Sequence, residues 1–218
     1  MLFRSAARQA HYSAENAYVT LMAGFTTVQS IGSRSDVELR EAVARGIVPG
    51  PRILSSVVQF RDKELALTPE QVRAWVKNAV AQGADVIKLF ATKSIREGGG
   101  QTMSDAQIEA ACGEAKALGK RTWVHAHGAS AMLTAARAGC TAISHGSQAT
   151  DEVFETMVKN GIYFEPNIGL VSQNYLEHKA QYLGIGNYDE EGFRYTVEGI
   201  PLKLKMFKLA LKHKNLKM

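Results

Sequence analysis

Three of the six histidines fall within one 21-residue window: His125 and His127 in Trp123-Val124-His125-Ala126-His127-Gly128, and His145 in Ile143-Ser144-His145-Gly146. Residues two apart on a strand face the same side, so His125 and His127 point into one space. His145 closes the next β-branched run, one helical stretch later. Adjacent parallel strands lie about 4.8 Å apart, which brings imidazoles from both within reach of a single cation. The other reading of each is a core histidine satisfied by its neighbours. Three at the ends of consecutive strands favour the metal. His11, His178 and His213 lie in helical or loop text and read as surface residues.

Lys88 is the second anomaly. The segment Ala84-Asp85-Val86-Ile87-Lys88-Leu89-Phe90 reads as a buried parallel strand, where an ammonium is costly unless it is paired, discharged or modified. Burial favours the neutral amine, which is nucleophilic and can add carbon dioxide to become a carbamate, a bridging metal ligand. Alternatively Lys88 reaches the strand's end and pairs with an acid. Gly98, Gly99 and Gly100 follow this strand and suit a loop near a site, but they lack the spacing and the Lys-Ser/Thr of a phosphate-binding loop.

The elements that must hold these residues are punctuated by glycine. Helical patterns close at Gly24, Gly46, Gly83, Gly119, Gly139 and Gly161, and each is followed by a short β-branched run: 26–30, 52–58, 85–91, 122–127, 141–145 and 162–168. Ser35 with Glu38, Thr68 with Gln71 and Ser104 with Gln107 have the spacing of capping boxes, and Pro69 suits a first helical residue. Stripes such as Val72, Trp75, Val76, Ala79 and Val80 make the helices amphipathic. Six strands alternating with helices predict an α/β fold with parallel strands, either a doubly wound sheet or a TIM barrel. Reactive residues at the ends of several different strands favour the barrel. Residues 171–200 read as a loop or insertion over the strand ends, and 201–218 as a basic terminal helix.

Composition fits one soluble globular domain over residues 1–218, with 45% hydrophobic and 22% charged residues, and excludes collagen-like, mucin-like and disordered chains. Cys112 and Cys140 could pair, though nothing in the sequence requires it. The net charge of +5 is a property of the tail. Six Lys and no acid lie from Pro201 to Met218, which leaves 20 Lys plus Arg against 21 acids in the body. A nucleic-acid groove would spread its cations over a folded face, so no nucleic-acid partner is expected, and a solvated terminal helix is expected rather than a membrane contact. Without a signal-like or membrane-spanning run, the expected location is cytoplasmic, although a longer N-terminal region could carry a signal.

The order Val-Ile-Lys, His-Ala-His-Gly and Ala-Gly-Cys-Thr-Ala-Ile-Ser-His-Gly resembles the amidohydrolase superfamily, in particular its Xaa-Pro dipeptidase and imidazolonepropionase-like branch. Gly24-Phe25-Thr26-Thr27-Val28 and Gly50-Pro51-Arg52-Ile53-Leu54 are similar to that branch's second and third strands. The resemblance runs from about Ala17 to Ile168 and implies a TIM barrel. It implies that Lys88 is a carboxylated bridging ligand, that His125 and His145 are metal ligands, and that His127 contacts substrate or transition state. The implied cofactor is a divalent metal, foremost zinc, with one site kept of a family pair. The implied reaction is hydrolysis of a carbon–nitrogen bond in a small peptide or amide by metal-activated water.

Two family features have no counterpart: the His-x-His of the first strand and the Asp of the eighth. The expectation is therefore a barrel truncated to about six βα units, with poor activity. The rival reading is an inactive barrel remnant that folds, or forms a homo-oligomer through open sheet edges, without hydrolysing substrate.

Overall fold

A computed structural model describes residues 5–33 and 35–218, with the backbone alone at 170 and 171. The chain divides into two compact units. The first holds residues up to Gln59 with Lys77–Lys88, and the second holds Phe60–Val76 with Leu89–Met218.

In the first unit, α1 (Ala6–Met22) leads to β1 (Thr27–Ser30), and α2 (Asp36–Ala44) leads to β2 (Arg52–Ser55). The two strands pair in parallel, with Thr27 opposite Arg52 and Ser30 opposite Ser55. A polar network fixes the end of β2. Ser55 exchanges backbone bonds with Asp85, whose amide donates to the Ser55 carbonyl (2.8 Å) while its carboxylate accepts from the Ser55 N–H (2.9 Å). The same carboxylate pairs with Arg40, and the Ser55 hydroxyl donates to buried Asp36 at 3.3 Å. The strand expected over 52–58 stops at Ser55 because Val57 adopts a left-handed φ of 58° and gives its N–H to Ser55 Oγ instead of to a ladder.

Three of the described elements are divided between the units: β3 (Gln59–Phe60), α3 (Pro69–Ala81) and β4 (Val86–Phe90). The second unit then runs α4 (Asp105–Ala117), β5 (Arg121–Ala126), α5 (Ala129–Arg137), β6 (Ala142–His145), α6 (Asp151–Asn160), β7 (Tyr163–Glu165), α7 (Leu170–Glu177), α8 (Lys179–Tyr182) and α9 (Glu190–Ala210). Its strands stand side by side in chain order. The pairings β5–β6 and β6–β7 are parallel, with Val124 opposite Ile143 and Ile143 opposite Phe164. Ile108, Met132, Ile143, Phe154, Met157 and Phe164 are fully buried, which places the core between helices α4 to α6 and the sheet.

The glycine punctuation is borne out, since all six predicted stops have positive φ, as at Gly161 (68°), which caps α6. Two of three capping boxes form. Thr68 and Gln71 bond reciprocally, as do Ser104 and Gln107, and the Gln107 amide also donates to Leu65 and Leu67 carbonyls. Ser35 makes no cap bond; its hydroxyl is engaged by Ser33 at 2.6 Å.

Residues 171–200, expected as a loop, form most of α7, all of α8 and the first half of α9. Tyr175, Tyr182 and Tyr188 pack ring on ring at 4.5–5.8 Å, and the Asp189 carboxylate caps α9 through the Gly192 N–H (2.7 Å). The basic terminal helix accordingly starts at Glu190 and stops at Ala210. The chain then turns so that Lys217 lies parallel to β7, where its carbonyl accepts from the Phe164 N–H at 2.8 Å. An open strand edge and a burial place for Leu216 outweigh helix continuation there.

Cys112 of α4 and Cys140, just before β6, form a disulfide buried in the second unit. No helix among the described residues is long and apolar enough to cross a membrane. A cross-link 28 residues apart removes about 3 to 4 kcal/mol of unfolded-state entropy. Cys140→Ala should therefore lower the urea-unfolding free energy by about 3 kcal/mol. Dithiothreitol should do the same to the wild type and add nothing to the variant; an unchanged midpoint in reductant would mean that the bond is not formed.

Candidate metal centre

The three histidines occupy the ends of β5 and β6. The end of β5 is pinned to the segment after β4, where the Ala91 N–H donates to the His125 carbonyl (3.0 Å) and the His127 N–H donates to Thr92 Oγ1 (3.1 Å). His125 and His127 share a face by strand alternation.

His145 does not follow the same rule. It pairs in register with Ala126, while Ser144 pairs with His125. Strict alternation would send the His145 ring to the face of Ile143, away from the other two. Its φ of 77° breaks the alternation, and its ring centroid lies 4.5 Å from that of His125 and 4.9 Å from that of His127. A left-handed φ at a non-glycine residue costs about 1 to 3 kcal/mol and persists only where its surroundings enforce it. Gly146 is part of that enforcement. Its φ is 58°, its N–H donates to the Ala126 carbonyl (2.9 Å), and a Cβ there would meet Phe164 and Met132 at 2.7–2.9 Å.

Ligand atoms of His125, His127 and His145 all lie within 4.8 Å of one another. Bonds of about 2.0–2.1 Å to a tetrahedral ion bring nitrogens to about 3.4 Å, so small side-chain rotations close the set. Each ring is steadied by a second contact: His125 Nε2 by the Lys93 carbonyl (3.2 Å), His127 Nδ1 by Ser147 Oγ (2.9 Å), and His145 Nδ1 by the Asn167 amide (3.2 Å). Such partners select the tautomer and orient the remaining nitrogen. Burial, then the fields of His125, Lys203 and Arg96, push the His127 pKa down from 6.5 to about 3, so its ring is neutral and keeps a lone pair.

The rings open onto a cavity of about 780 Å³ that Phe90, Thr92, Arg96, Asn167 and Lys203 also line. Lys88 lies on β4, 3% exposed, as the last residue of the first unit's segment. The fold thus brings His125, His127 and His145 together. Asn167, Arg96 and Lys203 escaped the sequence reading. Asn167 had a usable signal, because it follows β7 by two residues, the same rim position that made the histidines conspicuous.

A sequence profile of the amidohydrolase family matches residues 5–189, and the chain belongs to that family. It is similar to the crystal structure of a Xaa-Pro dipeptidase with methionine bound in its active site (TM-score 0.83, 26% identity, over 100% of this chain and 59% of that one). It also resembles the Aspergillus niger ochratoxinase structure, at TM-score 0.81 and 20% identity over 97% of this chain and 55% of that one. In sequence, the same organism's ochratoxinase is 29% identical over 99 residues, 44% of this chain and 21% of that protein. The fold is α/β of the TIM-barrel type, and this chain spans 59% of the dipeptidase structure it matches.

Two outcomes follow. His127 binds a proton far more weakly folded (about 3) than unfolded (6.5), so its contribution to stability is complete above pH 6.5 and is lost as pH falls towards 3. In metal-free chain, urea midpoints should drop between pH 7 and pH 5, with about 1.4 kcal/mol lost per pH unit below 6.5. His127→Gln should flatten the profile, and parallel profiles would contradict the shift. Gly146→Ala should cost about 1 to 3 kcal/mol, because the added methyl meets Phe164 and Met132 at a backbone angle that side chains avoid.

Proposed function

We propose that this chain carries the metal-binding rim of a hydrolase that cleaves a carbon–nitrogen bond, in a small peptide or amide, with water as the nucleophile. The observation that carries the reading is the group of three imidazoles, two buried and one half-buried, whose ligand atoms lie within 4.8 Å of one another on the wall of the cavity.

The donors fit a divalent ion. The His125 and His145 nitrogens have ordered second contacts, and imidazole suits zinc, which takes three protein ligands and leaves a fourth position open. An ion bound there supplies Lewis acidity towards an amide carbonyl and lowers the pKa of water. His125 and His145 hold it, and the family resemblance, rather than any distance, adds Lys88 as a carbamate. His127 faces the substrate. With Nδ1 engaged by Ser147, it has Nε2 left for the amide.

Proton transfer is the weak step. Two carboxylates line the cavity, and both are engaged: Asp62 with Arg61 at 2.6 Å, and Glu97 with the Asn187 amide at 3.0 Å. A leaving amine needs a proton, and a carboxylate held by a guanidinium is a poor carrier.

Equilibrium dialysis against zinc, manganese or cobalt should load one ion per chain. His125→Ala and His145→Ala should each weaken binding at least tenfold, as should Lys88→Ala in bicarbonate buffer. Equal occupancy in wild type and His125→Ala would place the ion elsewhere. Turnover of Xaa-Pro dipeptides and N-acyl amino acids should fall about 10²- to 10⁴-fold below the median enzyme value of about 10 s⁻¹. Median turnover abolished by Lys88→Ala would show that another group carries the proton.

A further inference from the structure

The inner face of α9 is occupied by its own fold. Phe193, Thr196, Gly199, Met206 and Ala210 are buried, and between them Lys203 turns inward to Ser172 Oγ at 2.9 Å. The outer face has no such cover. Val197, Leu204 and Leu211, the last at the helix's C-terminal cap, are 53%, 55% and 55% exposed. Their spacing returns each side chain to nearly the same side after two turns, so the three form one apolar line about 20 Å long.

Lysines flank that line. Lys205, Lys208 and Lys212 are exposed, and with Pro201, Leu204 and Leu209 they line a shallow hollow of about 440 Å³ along the helix. Among the described residues none of the three has a carboxylate partner. The acids of α9 lie in its first half and are engaged: Glu190 with Lys179, and Glu191 and Glu198 with Arg194. After Glu198 no acidic side chain follows as far as Met218. The lysine count alone reads as a solvated helix. The fold adds that leucines stand exposed among the lysines.

Chemistry separates the surfaces that could cover such a face. A second copy would set the same lysines against these, with no acid beside them as an offset. The core of a protein interface favours aromatic residues, Met and Arg and is depleted in Lys. A nucleic acid would match the lysines, but its phosphates leave the leucines in water. An anionic bilayer satisfies both, because its headgroups attract lysine and its acyl boundary accepts leucine. Lysine stems can lie along that boundary with their charges at headgroup level. No helix among the described residues is long and apolar enough to cross a membrane, so the contact is along the surface.

We infer that the outer face of α9 docks the chain on an anionic lipid bilayer, with Val197, Leu204 and Leu211 at the acyl boundary and Lys205, Lys208 and Lys212 among the headgroups. Both parts are needed. The apolar line is short, and the lysines act only within a Debye length of the surface, about 8 Å at physiological salt. The docking is independent of the chemistry in the cavity, which α9 meets from its opposite face through Lys203.

The test sediments the whole chain with sucrose-loaded vesicles of phosphatidylcholine, either alone or with about 30 mol% phosphatidylserine. Affinity should be at least tenfold higher with phosphatidylserine and should fall at least tenfold as salt rises from about 0.1 M to about 0.5 M. Lys205→Gln, Lys208→Gln and Lys212→Gln together should cost at least tenfold, as should Leu204→Asn with Leu211→Asn. All five side chains are exposed, and circular dichroism checks that both variants fold. Leu204→Cys carrying an environment-sensitive NBD dye should brighten and shift to the blue on phosphatidylserine vesicles. Cys112 and Cys140 are bonded to each other, so the dye goes to position 204 alone. Equal binding to both vesicles, no sedimentation, binding unmoved by Leu204→Asn with Leu211→Asn, or unchanged dye emission would each overturn the docking. A dimer in sedimentation velocity that Leu204→Asn dissolves would give this face to a second copy and overturn it as well.

Discussion

The candidate centre depends on one residue leaving the extended region of backbone space. Parallel pairing fixes which residues of β5 and β6 stand abreast, and in that register His145 belongs to the wrong face. Only because its φ is 77° do three imidazoles meet. The surroundings that hold this angle are ordinary packing. Gly146 admits Phe164 and Met132 where a side chain would exclude them, and the Asn167 amide meets the ring from beyond β7. Strain of this kind is supported by the core under it, so the metal-binding geometry and the packing of β6 against β7 are one problem.

The pattern of residues revealed the parts of the structure that rest on local chemistry. Glycine at a helix end, threonine or serine three residues before glutamine, and buried β-branched runs are short-range signals, and six of the seven described strands and most helix boundaries follow from them. The histidine cluster was legible for a related reason, since spacing of two on a strand and placement at a strand end are both visible in text. What stayed hidden depends on partners distant in sequence. Ser35 lost its cap to Ser33, and Val57 cut β2 short. Residues 171–200 became helical through contacts among Tyr175, Tyr182 and Tyr188 that no periodicity announces. The Cys112–Cys140 disulfide was an open option in the sequence and a contact in the fold.

Arg96 and Lys203 were hidden for the same reason. One follows β4 and the other sits in a lysine-rich stretch that reads as solvated. The charge count was right about where the basicity lay but not about where it pointed. Of the tail lysines, Lys203 is half-buried and directed to Ser172, whereas Lys205 and Lys208 are exposed. One helix thus carries lysines of both kinds, most of them solvated and one turned inward.

The electrostatics of the rim then constrain the chemistry. Burial is the largest reason that His127 disfavours a proton, with the charges of His125, Lys203 and Arg96 behind it, and the same burial and charges oppose a cation placed beside its ring. Imidazole lone pairs offset part of that cost, but they bring no negative charge. A stable centre in this field needs anions. The carbamate proposed for Lys88 is one, and an acidic ligand in the cavity would be another. Each anion that binds makes the next cation less costly and each cation the next anion, so metal and acidic ligand should bind with positive coupling, which thermodynamic linkage makes equal in both directions. A wall whose cations outnumber its carboxylates, which looks hostile to a metal when taken alone, would make metal retention depend on the charge of whatever binds beside it.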